Sequence, residues 1–239
     1  MKKLILTLSA MALATGAFAQ GYVTFGNATG TLEDTNNSIS PFFGGLGGGN
    51  QGSATGATSV SATALYYTAL LTESYSGTLT SDTNVLDGTW TYTGLQTQNG
   101  ASGQPGKIAA VNDQVANNWG IGSTQQFILV AWSADLGTTW ASVSNELNLA
   151  LSGNNTLLAA QLNGAVGFFG VSAVSFEAAQ PAPSAPAAQL WSSSLGAQTY
   201  GNPISTGIAL YIVPVPEPAT LALAGLGGLG LLLFRRRRQ

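Results

Sequence analysis

Gln126-Phe127-Ile128-Leu129-Val130-Ala131-Trp132 is the strongest apolar run in the body of the chain. Six apolar residues in succession, with no polar alternation, predict a central strand covered on both faces. Asp135-Leu136-Gly137 follows with turn chemistry, before Thr138-Thr139-Trp140. Upstream, Thr89-Trp90-Thr91-Tyr92-Thr93 alternates Thr with aromatics, the period of a half-buried strand. Ser59 to Leu71 is rich in β-branched and aromatic residues, and Tyr22-Val23-Thr24-Phe25 reads as a first strand. Downstream, Gly164 to Ala178 predicts one or two strands, and Gly207 to Val213 a last one. Asn145 to Leu151 and Thr156 to Leu162 could form short helical segments. Many short strands with frequent turn signals predict a mainly β fold, an antiparallel β-sandwich-like domain over residues 20–213.

Two segments interrupt that pattern. Residues 42–56 (FFGGLGGGNQGSATG) are Gly-rich and read as a loop, and residues 178–188 (AAQPAPSAPAA) as a Pro/Ala-rich extended connector. No internal repeat is evident, which argues against a solenoid or propeller.

Composition excludes much chemistry. The 239 residues include no Cys and no His, and 7% are charged, against about 25% in an average soluble domain. Thiolate nucleophiles, zinc-thiolate sites, iron–sulfur clusters, imidazole ligands and Ser-His-Asp catalysis are thereby removed. Between Gln20 and Val213 there is one base, Lys107, against nine acids, so the body carries a formal charge of −8. A surface with one cation cannot neutralise a run of phosphates, so no nucleic-acid partner is expected.

The other cations sit at the ends. Met1-Lys2-Lys3, an apolar run from Leu4 to Ala14, and Ala17-Phe18-Ala19 form the three parts of a signal peptide over residues 1–19. The small residues Ala17 and Ala19 set the cut, giving a mature chain from Gln20 that the secretion machinery has exported. At the other end, Val213-Pro214-Val215-Pro216-Glu217-Pro218 cannot propagate a helix. Residues 219–234 are 16 uncharged residues, mostly Leu, Ala and Gly, followed by Arg235-Arg236-Arg237-Arg238. As a transmembrane helix they would reach about 24 Å across a core of about 30 Å, a short span that snorkelling arginines can accommodate. The arginines would stay cytoplasmic and the body outside.

Pro216-Glu217-Pro218, a short Leu/Ala/Gly span and an arginine cluster, in that order, resemble the PEP-CTERM sorting domain of exported bacterial proteins. The resemblance covers residues 214–239. It implies recognition of the tail by an exosortase, an integral-membrane protease thought to cleave near the motif, and an association with exopolysaccharide and biofilm matrix. By position, Pro216, Glu217 and Pro218 would be the sorting motif, and Arg235, Arg236, Arg237 and Arg238 the stop-transfer charge. The expected product is a non-enzymatic envelope or extracellular-matrix protein, anchored in the membrane by the C-terminal helix, then released to the cell surface or medium. The alternative is a carbohydrate-binding or adhesive domain.

Within the body, three constellations invite a chemical reading. Gly47, Gly49 and Gly52 satisfy G-x-G-x-x-G but lack the flanking strand and helix of a dinucleotide fold. Asp82, Asn84 and Asp87 begin like a calcium loop, yet Leu86 stands where an oxygen ligand is needed and Thr93 where a Glu is needed, so Asx-stabilised turns fit better. Asp135, Glu146 and Glu177, with Trp119, Trp132 and Trp140 in the same third, could in principle make a glycosidase pair, but their spacing brings no two together. Lys107 is a poor partner for a Ser nucleophile. No catalytic residue, metal site or cofactor is expected.

Overall fold

Thr, Asn and Gly-rich segments alternate here with short apolar ones, and the chain answers with strands far more than with helix. The computed structural model describes residues 20–27, 32–39, 41–43, 51–54, 65–99, 106–152, 162, 166–181, 187–191 and 201–214. In chain order these form β1 (Gln20–Phe25), β2 (Glu33–Ile39), β3 (Gln51–Ala54), β4 (Tyr66–Ser74), β5 (Thr91–Gln98), β6 (Val111–Gly120) and β7 (Thr124–Ser133). Then follow one α-helix, α1 (Trp140–Leu151), and β8 (Phe168–Val171), β9 (Ser175–Ala178), β10 (Ala188–Gln189) and β11 (Ile208–Ile212).

The predicted central strand is β7. It pairs with β4 without a break from Tyr66↔Ser133 to Ser74↔Gln125. Its other edge is shared, β9 taking Thr124 to Phe127 and β8 taking Val130 to Trp132. Between them Ser172 closes the gap: its Oγ accepts the Leu129 N–H at 3.0 Å and its own N–H donates to the Leu129 carbonyl at 2.9 Å. The ladder therefore loses no bond where the neighbour changes.

Alternation divides β7 between two cores. Phe127, Leu129 and Ala131 pack with Leu70, Trp119, Trp191 and Leu210. Ile128, Val130 and Trp132 pack with Leu71, Leu136, Trp140 and Phe169. The small sheet β10–β1–β6 covers the first face, and α1 with the segment carrying Val85 and Trp90 covers the second. Bridges Asn99↔Ile108 and Tyr22↔Gln180 tie the small sheet to the large one at two places. Each fully buried Leu, Ile or Phe of such a core contributes about 1.5–3 kcal/mol.

The large sheet runs β3–β2–β11–β8–β7–β4–β5, and both sheets are mixed. β1 with β10 and β2 with β11 are parallel, where the sequence pattern suggested antiparallel pairing throughout. The reason is connectivity: β10 and β11 return from the far end of the chain by long crossings, and hairpins alone enforce antiparallel neighbours. Residues 51–54, inside the segment read as a Gly-rich loop, form β3, because a ladder needs only the backbone. The helix starts at Trp140, ahead of the expected Asn145, since Thr139 caps it by accepting the Ser142 N–H. Trp140, Val143 and Leu147 form its buried stripe. The segment from Gly164 to Ala178 resolves into two strands, β8 and β9.

Gly170 fixes how closely β8 and β11 approach: a Cβ there would stand 2.2 Å from the Ala209 carbonyl oxygen. Gly170→Ala must push the two backbones apart, at about 1–3 kcal/mol for an overpacked site. A denaturation midpoint unchanged by that substitution would contradict the pairing.

Candidate functional site

The place of interest is where the chain leaves the fold. β11 lies between β2 and β8, its Ile208 and Leu210 in the core that Phe127, Leu129 and Ala131 also line. Val213 is buried too, and its N–H donates to the Gly167 carbonyl at 2.9 Å. Pro214 has no N–H to offer, so the ladder stops there. Two residues, Pro214 and Val215, separate the last buried side chain from Pro216. The tail thus begins at an internal strand of the large sheet, with no stalk between.

Pro216, Glu217, Pro218, the span 219–234 and Arg235 to Arg238 lie outside the described residues, as do Ala17 and Ala19. Among the described residues no helix is long and apolar enough to cross a membrane. Gln20, the expected mature N-terminus, opens β1 and pairs with Gly120 of β6. The expected signal cut therefore abuts the first strand.

Of the acids named from sequence, Asp135 and Glu177 are not brought together. Glu177 in β9 stands opposite Gln125, whereas Asp135 follows Ser133 at the other end of β7. Eight strand residues separate those ends by about 26 Å, too far for paired carboxylates. Glu146 lies on α1, with one carboxylate oxygen buried and without a partner among the described residues. Around Asp82 the polar atoms serve the backbone. Asp82 accepts the Asn84 N–H at 2.8 Å, and Asn84 accepts the Leu86 N–H at 3.3 Å. Asp87 accepts both the N–H and the hydroxyl of Thr89, which holds its carboxyl below the ordinary range. Among the described residues no three His, Cys, Asp or Glu side chains are grouped to hold a metal.

Trp119, Trp132 and Trp140 are buried, and so are Trp90 and Trp191. Trp119, Trp132 and Trp191 each donate their indole N–H to a backbone carbonyl at 2.9 Å. Trp132 lies between Tyr67 (5.9 Å) and Trp140 (5.8 Å) in an aromatic cluster that continues to Phe169. These rings are core, and no indole face is left for a sugar.

The burial of two acids, Glu33 and Glu177, escaped the sequence reading. Glu33 accepts a hydrogen bond from the Thr68 hydroxyl. Glu177 is fully buried; one oxygen accepts the Ala178 N–H at 3.3 Å, and the other has no partner among the described residues. Nothing in the pattern around Phe176 marks the following acid as an inward one.

Residues 214–238 match the family described as the PEP-CTERM protein-sorting motif. No curated protein and no solved structure matches the chain.

Burial raises the Glu177 carboxyl from its ordinary 4.5 to about 7. Between those values the folded protein keeps a proton that the unfolded chain releases, so stability should fall as pH rises through the window and level off above it. The expected loss is on the order of 1–3 kcal/mol by linkage. Glu177→Gln should flatten that slope in denaturation curves taken from pH 4.5 to 8; an unchanged slope would remove Glu177 as its source.

Proposed function

From the PEP-CTERM sorting motif at residues 214–238, we propose that this exported protein serves the cell envelope or extracellular matrix as a non-enzymatic component. The motif is what an exosortase processes, and it stands directly behind the last buried residue of the β-rich body. Glu217 is held between two residues that fix φ and carry no N–H, which favours recognition of an extended backbone by the protease. The apolar residues 219–234 hold the substrate in the membrane, and Arg235 to Arg238 keep it from being drawn through. After the cut the body stays at the cell surface or in the matrix, in company with exopolysaccharide.

The chemistry of the body supports a structural role over a catalytic one. It has one base, no His and no Cys, and its Asp135 and Glu177 are apart. Burial of all five tryptophans speaks for packing over glycan stacking.

Replacing Arg235, Arg236, Arg237 and Arg238 together by Gln should lower both membrane retention and tail processing several-fold in cells that hold the protease. The readout is the ratio of precursor to product in membranes and medium, and a ratio equal to that of the unaltered chain would refute the stop-transfer role.

A further inference from the structure

Four large apolar side chains among the described residues stand well into solvent: Ile39 (46%), Ile121 (42%), Leu151 (47%) and Val166 (49%). One exposed Ile or Val on a surface calls for no explanation. Two of these four, however, flank the point where the chain departs. Ile39 ends β2 and is the register partner of Ile212. Val166 precedes Gly167, whose carbonyl holds the Val213 N–H. Exposed Pro41 continues the rim two residues beyond Ile39, and half-buried Phe43 packs with the cluster that contains Val213.

Covalent reach says what this rim meets. Residues 214–218 can extend over no more than about 18 Å, and the apolar run begins at Ala219. The polar layer between hydrocarbon and water is itself about 5–8 Å deep on each side. A folded body tethered that tightly stays within about 10 Å of the layer, close enough for its exit face to settle on it. Charge does not draw it there, since the body carries −8, and Asp135 adjoins this face through Leu136, which touches Gly167. Apolar contact is the attraction that the rim offers.

We propose that, while the tail is attached, the face around Val213 docks on the outer lipid surface, with Ile39 and Val166 entering the headgroup region. This rests on reading residues 219–234 as a membrane anchor. The docked body has a fixed orientation: the β6–β7 turn with Ile121 points away, at the far end of a ten-residue strand about 30 Å long. The sorting motif then lies beneath the body, at the depth of a membrane-embedded protease. Two side chains without a tether bind lipid weakly, so cutting the tail also frees the surface.

The chain contains no cysteine, so Ile39→Cys, Val166→Cys and Ile121→Cys each give one labelling site. Residues 20–239, which hold all of the described structure, would be labelled with an environment-sensitive fluorophore and reconstituted into phosphatidylcholine vesicles. Flotation reports anchoring independently of the labels. The expected result is flotation, with lipid-borne nitroxide quenching positions 39 and 166 by about twofold or more, and position 121 scarcely at all. Flotation with equal quenching at all three positions would overturn the docking and leave the anchor reading standing. Labels at 39 and 166 shielded from an aqueous quencher, yet untouched by the lipid-borne one, would place a second protein copy on the face and also overturn it. Failure to float would remove the anchor and, with it, the docking.

Discussion

Burial of β7 on both faces is the constraint from which the rest of the architecture follows. A strand with Phe127 to Trp132 wholly inside needs a cover above and below, and neighbours along both edges. β4 satisfies one edge along its whole length; β8, Ser172 and β9 divide the other. β11 then hangs on β8, at a distance that Gly170 sets, and β2 on β11. The exit of the tail is consequently fixed to the core through two strand pairings, and its position is as rigid as the ladder that carries it.

A body with so little charge also manages its polar groups inside. Ser172, Thr93 and the indole N–H groups of Trp119, Trp132 and Trp191 are spent on backbone carbonyls or amides. Glu177 departs from this economy, since one of its oxygens is buried without a described partner and its carboxyl stays protonated to about pH 7. That arrangement bears on stability; Asp135 is at the far end of β7 and the body contains no imidazole to share the proton.

The sequence made some elements legible and hid others for physical reasons. β7 declared itself because double burial demands an unbroken apolar run, and β11 because Ile208-Ala209-Leu210-Tyr211-Ile212 is nearly as apolar. β2 (EDTNNSI) and β6 (VNDQVANNWG) escaped because their runs are mostly polar, although Ala116 and Trp119 of β6 enter the core. β6 moreover bends through positive φ at Asp113 and Asn118, which reads in sequence as turn chemistry. Parallel pairing was invisible, since no local pattern records which distant strand returns to a given edge. For the site, the order motif, span and arginines was readable because targeting signals are local in sequence. The absence of a stalk was not, since it depends on Val213 being bonded to Gly167.

On the function proposed above, the residues at both ends are addresses and the β-rich body is what they deliver. Intact mass of the protein recovered separately from membranes and medium of producing cells tests it most directly. The expected product begins near Gln20 and ends close to Pro218. A mature protein that still carries Arg235 to Arg238 in cells with an active exosortase would contradict it.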